Sequence, residues 1–204
     1  MKKILYTIAA SVLLMIIGAE QADAQMGKKG FITAGWQYNA PISNPVSSVD
    51  QGYGGFIDLG YYIAPRVAVG GFISFSNNID YAAEETFYFD GDKALTTDVS
   101  TGIYQLPFGA LVRFRTGWKD VQPFVQAKIG ANYSSQSTYM SHYMSMDENW
   151  GVYLSPEIGI AVFPFYKHDI GLSLSVYYSY ASNRGEAYDF NSLNNAGFKL
   201  GILF

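Results

Sequence analysis

No cysteine occurs in the 204 residues, which removes disulfides, thiol catalysis and a lipidated N-terminal cysteine together. Charge is scarce too: 15% of residues are Asp, Glu, Lys or Arg, against about 25% in soluble domains. The formal net charge of −4 leaves no basic footprint, so no nucleic-acid partner is expected. Beyond the N-terminal segment there is no uninterrupted apolar run of the roughly 18 residues that a spanning helix requires. What the chain has in quantity is 21 glycines, 17 tyrosines and 14 phenylalanines. A water-facing surface would instead be dressed in Lys and Glu.

Residues 1–24 read as an export signal. Lys2 and Lys3 are followed by an apolar run from Ile4 to Ile17 and by the small-x-small site Ala22-Asp23-Ala24, so the mature chain is expected to begin at Gln25. Residues 25–204 are expected to form a single domain. An exported chain without a spanning helix crosses a further membrane only with strands, since hydrocarbon requires every backbone polar group to be paired within the protein.

The segment Asn195 to Phe204 alternates Ala196, Phe198, Leu200, Ile202 and Phe204 with Gly197, Lys199, Gly201 and Leu203, a period of two at about the length of a tilted membrane strand. In hydrocarbon such a strand must be paired on both sides, and its second partner is then the first strand of a closed barrel. Seven more alternating segments precede it, near residues 31–38, 53–63, 67–76, 104–115, 121–133, 150–162 and 170–180. Connections alternate in length. Long ones follow the first, third, fifth and seventh segments: a loop with Pro41 and Pro45, an acidic stretch from Asn77 to Asp98, Ser134 to Asn149, and Asn183 to Asn194. Short turns at Ala64-Pro65-Arg66, 116–120 and Pro164 to His168 join the rest. The expected fold is all-β: an eight-stranded antiparallel up-and-down transmembrane barrel with short periplasmic turns and long extracellular loops.

A soluble lipocalin-type barrel would turn the apolar face inward and present the other face to water. That other face is Gly, Ser, Gln and Asn with few charges, namely Asp58, Arg113, Lys128, Glu157 and Lys199, with Arg115 near a rim. So sparse a set suits a cramped lumen of mutually compensating charges, with Lys128 and Glu157 the expected pair. Trp36, Tyr38, Tyr53, Tyr104, Tyr133, Trp150, Tyr178 and Tyr180 cluster near the long-loop ends of their segments on the apolar face, as an interfacial aromatic belt requires. General β-propensity accounts for their number but not for their position.

With this pattern the chain resembles the small eight-stranded outer-membrane barrels similar to OmpX and to the barrel domain of OmpA, the "outer membrane protein beta-barrel" group common in Bacteroidota. The resemblance extends over the whole mature chain. Its most specific local feature is Gly197-Phe198-Lys199-Leu200-Gly201-Ile202-Leu203-Phe204, in which Phe198, Leu200, Ile202 and Phe204 look like the C-terminal signal read by the barrel-assembly machinery. The resemblance implies an outer-membrane location in a Gram-negative bacterium, with lipid and lipopolysaccharide as surroundings. No peptidoglycan-binding domain of the OmpA kind is expected after the barrel, so the resemblance does not imply cell-wall anchoring.

Catalytic signals are thin. His168-Asp169 falls in a short turn without a serine elbow or paired base, so the protein is expected not to be an enzyme and to need no cofactor. Met140, His142, Met144 and Met146 alternate in a long connection and offer soft ligands of the kind copper(I) takes; an adaptable contact surface explains the same residues. The acidic stretch holds Asp80, Glu84, Glu85, Asp90, Asp92 and Asp98, which a solvated loop or divalent-ion bridges to lipopolysaccharide would both accommodate. Three functional classes follow: a surface-interaction protein whose loops meet an extracellular partner, a small-solute channel, and a lipid-modifying enzyme. Eight strands leave an interior that side chains just fill, which places the first class ahead.

Overall fold

Period-two alternation with a fully apolar face has one stable solution in this chain, a sheet rolled shut. The computed structural model describes residues 30–43, 51–89, 93–116, 120–140, 143–164, 170–185 and 192–204; the export signal expected at 1–24 lies outside them. Eight strands run in order: β1 Gly30–Ser43, β2 Gly52–Ala64, β3 Val67–Phe89, β4 Lys93–Arg115, β5 Val121–Met140, β6 Tyr143–Val162, β7 Gly171–Ala181 and β8 Leu193–Leu203. Each pairs antiparallel with its chain neighbour, and β8 pairs with β1 to close the barrel. Backbone bonds between Phe204 and Ile32 at 2.8 and 3.2 Å finish the seam.

The two faces separate cleanly. Ile57, Leu59, Ile73, Val112, Val125, Ile158, Leu174 and Leu200 lie exposed on the outer wall, while Asp58, Ser74, Gln126, Lys128, Ser155, Glu157 and Lys199 are buried within. Inside, large rings sit over glycines. In one row Phe72 pairs with Gly109, Gly109 with Gly130 and Gly130 with Tyr153. The two rings meet across the glycines at 5.7 Å. A Cβ on Gly109 or Gly130 would strike a neighbouring backbone carbonyl oxygen at 2.2 or 2.0 Å.

The connections differ from the sequence expectation in one respect. Of the four long loops, two are largely strand: β3 and β4 are 23 residues each, and β5 and β6 are 20 each. Pro41 likewise belongs to β1, beside a register shift between Pro41 and Ser43. Pairing of β2 with β3 ends at Gly52 and Asn78, and that of β6 with β7 at Tyr153 and Ala181. Above that level β3, β4, β5 and β6 continue together, as in the row Ile79, Gly102, Ser137 and Met146. The result is a four-stranded sheet rising from one side of the barrel. Its outer face exposes Ile79, Tyr81, Tyr139 and Met146.

Candidate functional site: the lumen charge network and the projecting sheet

Alternation sends one charge or amide inward from most strands, and at mid-barrel these meet. Asp58 on β2 receives Lys128 Nζ at 2.7 Å and Gln126 Nε2 at 2.9 Å, with Arg113 Nη2 at 3.7 Å. Arg113 Nε in turn donates to Gln126 Oε1 at 2.6 Å. Glu157 on β6 accepts from Lys199 Nζ at 3.0 Å and from the Ser175 hydroxyl at 2.7 Å. Lys128 joins the two halves, its Nζ lying 3.4 Å from Glu157 Oε2.

All five charges named from the sequence therefore converge, and the expected Lys128–Glu157 pair is formed. The shorter bond of Lys128 goes to Asp58 and that of Glu157 to Lys199. Aromatic faces supply much of the remaining first contacts. The Arg113 guanidinium lies over Phe31 at 3.9 Å and Phe124 at 4.4 Å. Lys199 sits 4.6 Å from the Tyr177 ring, and Lys128 sits 5.2 Å from Phe72. Such contacts gain strength where water is excluded. With Phe31 from β1 and Phe72 from β3, every strand contributes a side chain to this layer.

Further layers lie above and below. Towards the short turns, Arg115 stacks on Tyr62 at 3.6 Å and donates to Gln122 Oε1 at 3.2 Å and to the Pro65 carbonyl at 3.3 Å. Towards the hairpins, amides take over: Asn39 donates to Asn78 at 2.7 Å and Asn132 to Asn183 at 2.8 Å. Asn183 returns bonds to Asn149 Oδ1 at 2.9 Å and to the Asn132 carbonyl at 3.1 Å. Sequence reasoning missed Gln126, Ser175 and Asn183 as members. All three carry an inward phase that marks them in retrospect, Asn183 by continuing the odd-numbered inward phase of β7 one step past the end of the strand.

The belt residues form two outer clusters. Trp36 stacks on Tyr53 at 5.6 Å, and Tyr38 meets both Tyr53 and Phe198, at 5.7 and 5.2 Å. Tyr133 and Trp150 pair across β5 and β6 at 5.3 Å. Tyr104 lies on β4, one rung above the Leu106–Tyr133 pair and opposite Ser135, and Tyr178 and Tyr180 are exposed on β7. Phe198, Leu200, Ile202 and Phe204 all face outward, and the first of them belongs to the belt cluster. In the Met-rich hairpin, Met144 pairs with Tyr139 and Met146 with Ser137. Met140 is on β5 opposite Tyr143, in the other phase of the alternation. Met146 is exposed, while His142 and the side chains of Met140 and Met144 lie outside the described residues. Among the described residues, no three His, Cys, Asp or Glu side chains come together as a metal site.

An apolar exterior, a hydrogen-bonded charged interior, short turns at one end and tall hairpins at the other define a transmembrane β-barrel of the outer-membrane type. The chain belongs to the outer membrane protein beta-barrel domain family, whose model matches residues 9–204. In fold it is similar to Neisserial surface protein A, with a TM-score of 0.58 at 14% identity, over 86% of this chain and 96% of that one. The attachment invasion locus protein Ail of Yersinia pestis gives a TM-score of 0.52 at 14% identity, over 88% of this chain and 100% of Ail. At these identities the likeness is one of fold. No curated protein matches the chain in sequence.

Proposed function

We propose that the protein is a non-enzymatic surface-interaction barrel of a Gram-negative outer membrane, with a plugged lumen and a projecting sheet that carries its contacts. The observation behind this reading is the division of the molecule at the aromatic belt. Below it, side chains from all eight strands meet in one bonded layer. Above it, among the described residues, β3 to β6 run on furthest, with Ile79, Tyr81, Tyr139 and Met146 presented to the exterior. Exposed aromatic and Met side chains suit adaptable recognition of a partner. That partner is lipopolysaccharide or an extracellular protein met through the loops. The lipid-facing residues Phe198, Leu200, Ile202 and Phe204 serve in biogenesis, as the strand the barrel-assembly machinery reads.

Replacing Ile79, Tyr81, Tyr139 and Met146 together by Ser tests the division. All four side chains are exposed on the outer face of the projecting sheet, so the layer below retains all its partners. The altered protein is expected to keep the heat-shifted gel mobility of a folded barrel while losing most binding to lipopolysaccharide and to extracellular-matrix proteins displayed on a solid phase. Full binding by the altered form would remove the recognition role from this sheet.

A further inference from the structure

Above the aromatic belt the sheet of β3 to β6 turns outward a face that is apolar at its sides and notched along its middle. One rung sets Ile79, Gly102, Ser137 and Met146 side by side, and the next sets Tyr81, Ser100 and Tyr139. The large side chains are exposed, Tyr81 by 62% and Met146 by 52%, and between them stand only glycine and serine. In the lower rung a Cβ on Gly102 would meet nothing nearer than Ser137 Oγ at 3.5 Å, so a side chain is tolerated there and none is present. In the upper rung Tyr81 and Tyr139 are two strand spacings apart, roughly 10 Å at about 4.8 Å each, with Ser100 between them. The two rungs are two residues apart along the strands, roughly 7 Å, which is also the spacing of side chains i and i+2 in an extended polypeptide.

Charge decides what such a face receives. The Tyr81 hydroxyl donates to Asp98 Oδ2 at 3.4 Å, which sets an exposed carboxylate beside the upper slot. Glu148 is exposed on β6 one rung below Met146. In sequence both hairpins are acidic: residues 79–99 hold six Asp and Glu against one Lys, and residues 136–149 hold one Asp and one Glu with no Lys or Arg. The whole chain has a net charge of only −4, so negative charge is concentrated on the projecting sheet. Such a field draws in cations and repels the phosphates of lipopolysaccharide. Aromatic rings beside a carboxylate suit an Arg or Lys side chain, through cation–π attraction and ion pairing together. From slot, notch and charge, we propose that the outer face of the projecting sheet docks a basic polypeptide in extended form. Its cationic side chain lies between Tyr81 and Tyr139 at Asp98, and its apolar side chain two residues on lies over Gly102, between Ile79 and Met146. The inference rests on the contact role proposed above for this sheet and names the chemistry of the partner.

Fluorescence anisotropy of labelled peptides against the full barrel in phosphatidylcholine nanodiscs tests the site. A peptide repeating Arg-Ser-Leu-Ser is expected to bind at least tenfold tighter than one repeating Glu-Ser-Leu-Ser, with the advantage shrinking as salt is raised. Asp98→Lys should remove most of that advantage. Gly102→Leu, which fills the notch and leaves every carboxylate in place, should weaken the Arg-Ser-Leu-Ser peptide several-fold and leave a peptide repeating Arg-Ser-Ser-Ser unaffected; heat-shifted mobility reports that each variant is folded. Equal binding of the Arg and Glu peptides would overturn the site, as would unchanged binding by folded Gly102→Leu and Asp98→Lys, or purified lipopolysaccharide bound by the wild type while the Arg peptide is not. Equal binding of the two peptides alongside loss of matrix-protein binding in the fourfold serine variant would leave the sheet a contact surface and strike only the basic partner. Full matrix-protein binding by that serine variant is a separate result, which would strike the contact role beneath the proposal.

Discussion

Asp58 is fully buried and is approached by three donors: Lys128, Gln126 and Arg113. Removing one member of a buried ion pair strands its partner, at a cost of about 3–5 kcal/mol. Asp58→Asn and Glu157→Gln are each expected to lower stability by about that amount, read from urea unfolding in liposomes through the belt tryptophans Trp36 and Trp150. The compensating change is set by the pairing. Taking Lys128 and Glu157 to Met together leaves Lys199 without its carboxylate, whereas Glu157→Met with Lys199→Met leaves the Asp58, Lys128 and Arg113 group whole. The second double variant should therefore recover most of the loss, and the first should not; equal recovery by both would show that the lumen tolerates any charge arrangement. Alternation in the sequence assigned all five charges to one face correctly. It named the Lys128–Glu157 contact, made at 3.4 Å, but not the shorter bond of Lys128 to Asp58, because those two are 70 positions apart and meet across the lumen, where strand spacing carries no information.

At the scale of the strand, the middle of each was legible and the tips of two hairpins were not. Inside the bilayer one face must be apolar, so a period of two is written into residues such as Leu172, Leu174 and Val176. Above the belt that demand ends. Ser134-Ser135-Gln136-Ser137-Thr138 is polar on both faces and reads as loop, yet it is strand because β4 and β6 satisfy its backbone on either side. The glycines were legible in number but not in role. Gly109 and Gly130 make room for Phe72 and Tyr153 to meet, a relation visible only once register is known. Gly130→Val would place its Cβ against the Phe108 carbonyl oxygen and the Gly109 backbone. Overpacking of this kind costs about 1–3 kcal/mol. A lower unfolding midpoint is expected, and Tyr153→Ala in the same chain should not relieve it, because the clash is with backbone. A midpoint unmoved by Gly130→Val would mean that the row has slack.

For the whole barrel, the question is whether its layers leave a path for water. Eight strands enclose a bore that side chains can just fill. Here the Arg115–Tyr62 stack lies towards the short-turn end, the ion network and the Phe72–Tyr153 contact occupy the middle, and bonded asparagines lie towards the hairpin end. A wet pore would wash the charges that line it, yet Asp58, Lys128 and Lys199 are at most 2% exposed. Planar-bilayer recordings of the pure native protein are therefore expected to show no reproducible ion-conducting steps. The same argument predicts how conduction would be created. Replacing Phe72 and Tyr153 together by Ala removes the two rings that meet over Gly109 and Gly130, while leaving the ion network its carboxylates and its cations. That variant, if folded by its heat-shifted mobility, should leak small ions where the parent does not. Steps in the native protein would promote the channel reading over the plugged one, and a silent double variant would place the seal in the charge layer and not in the rings.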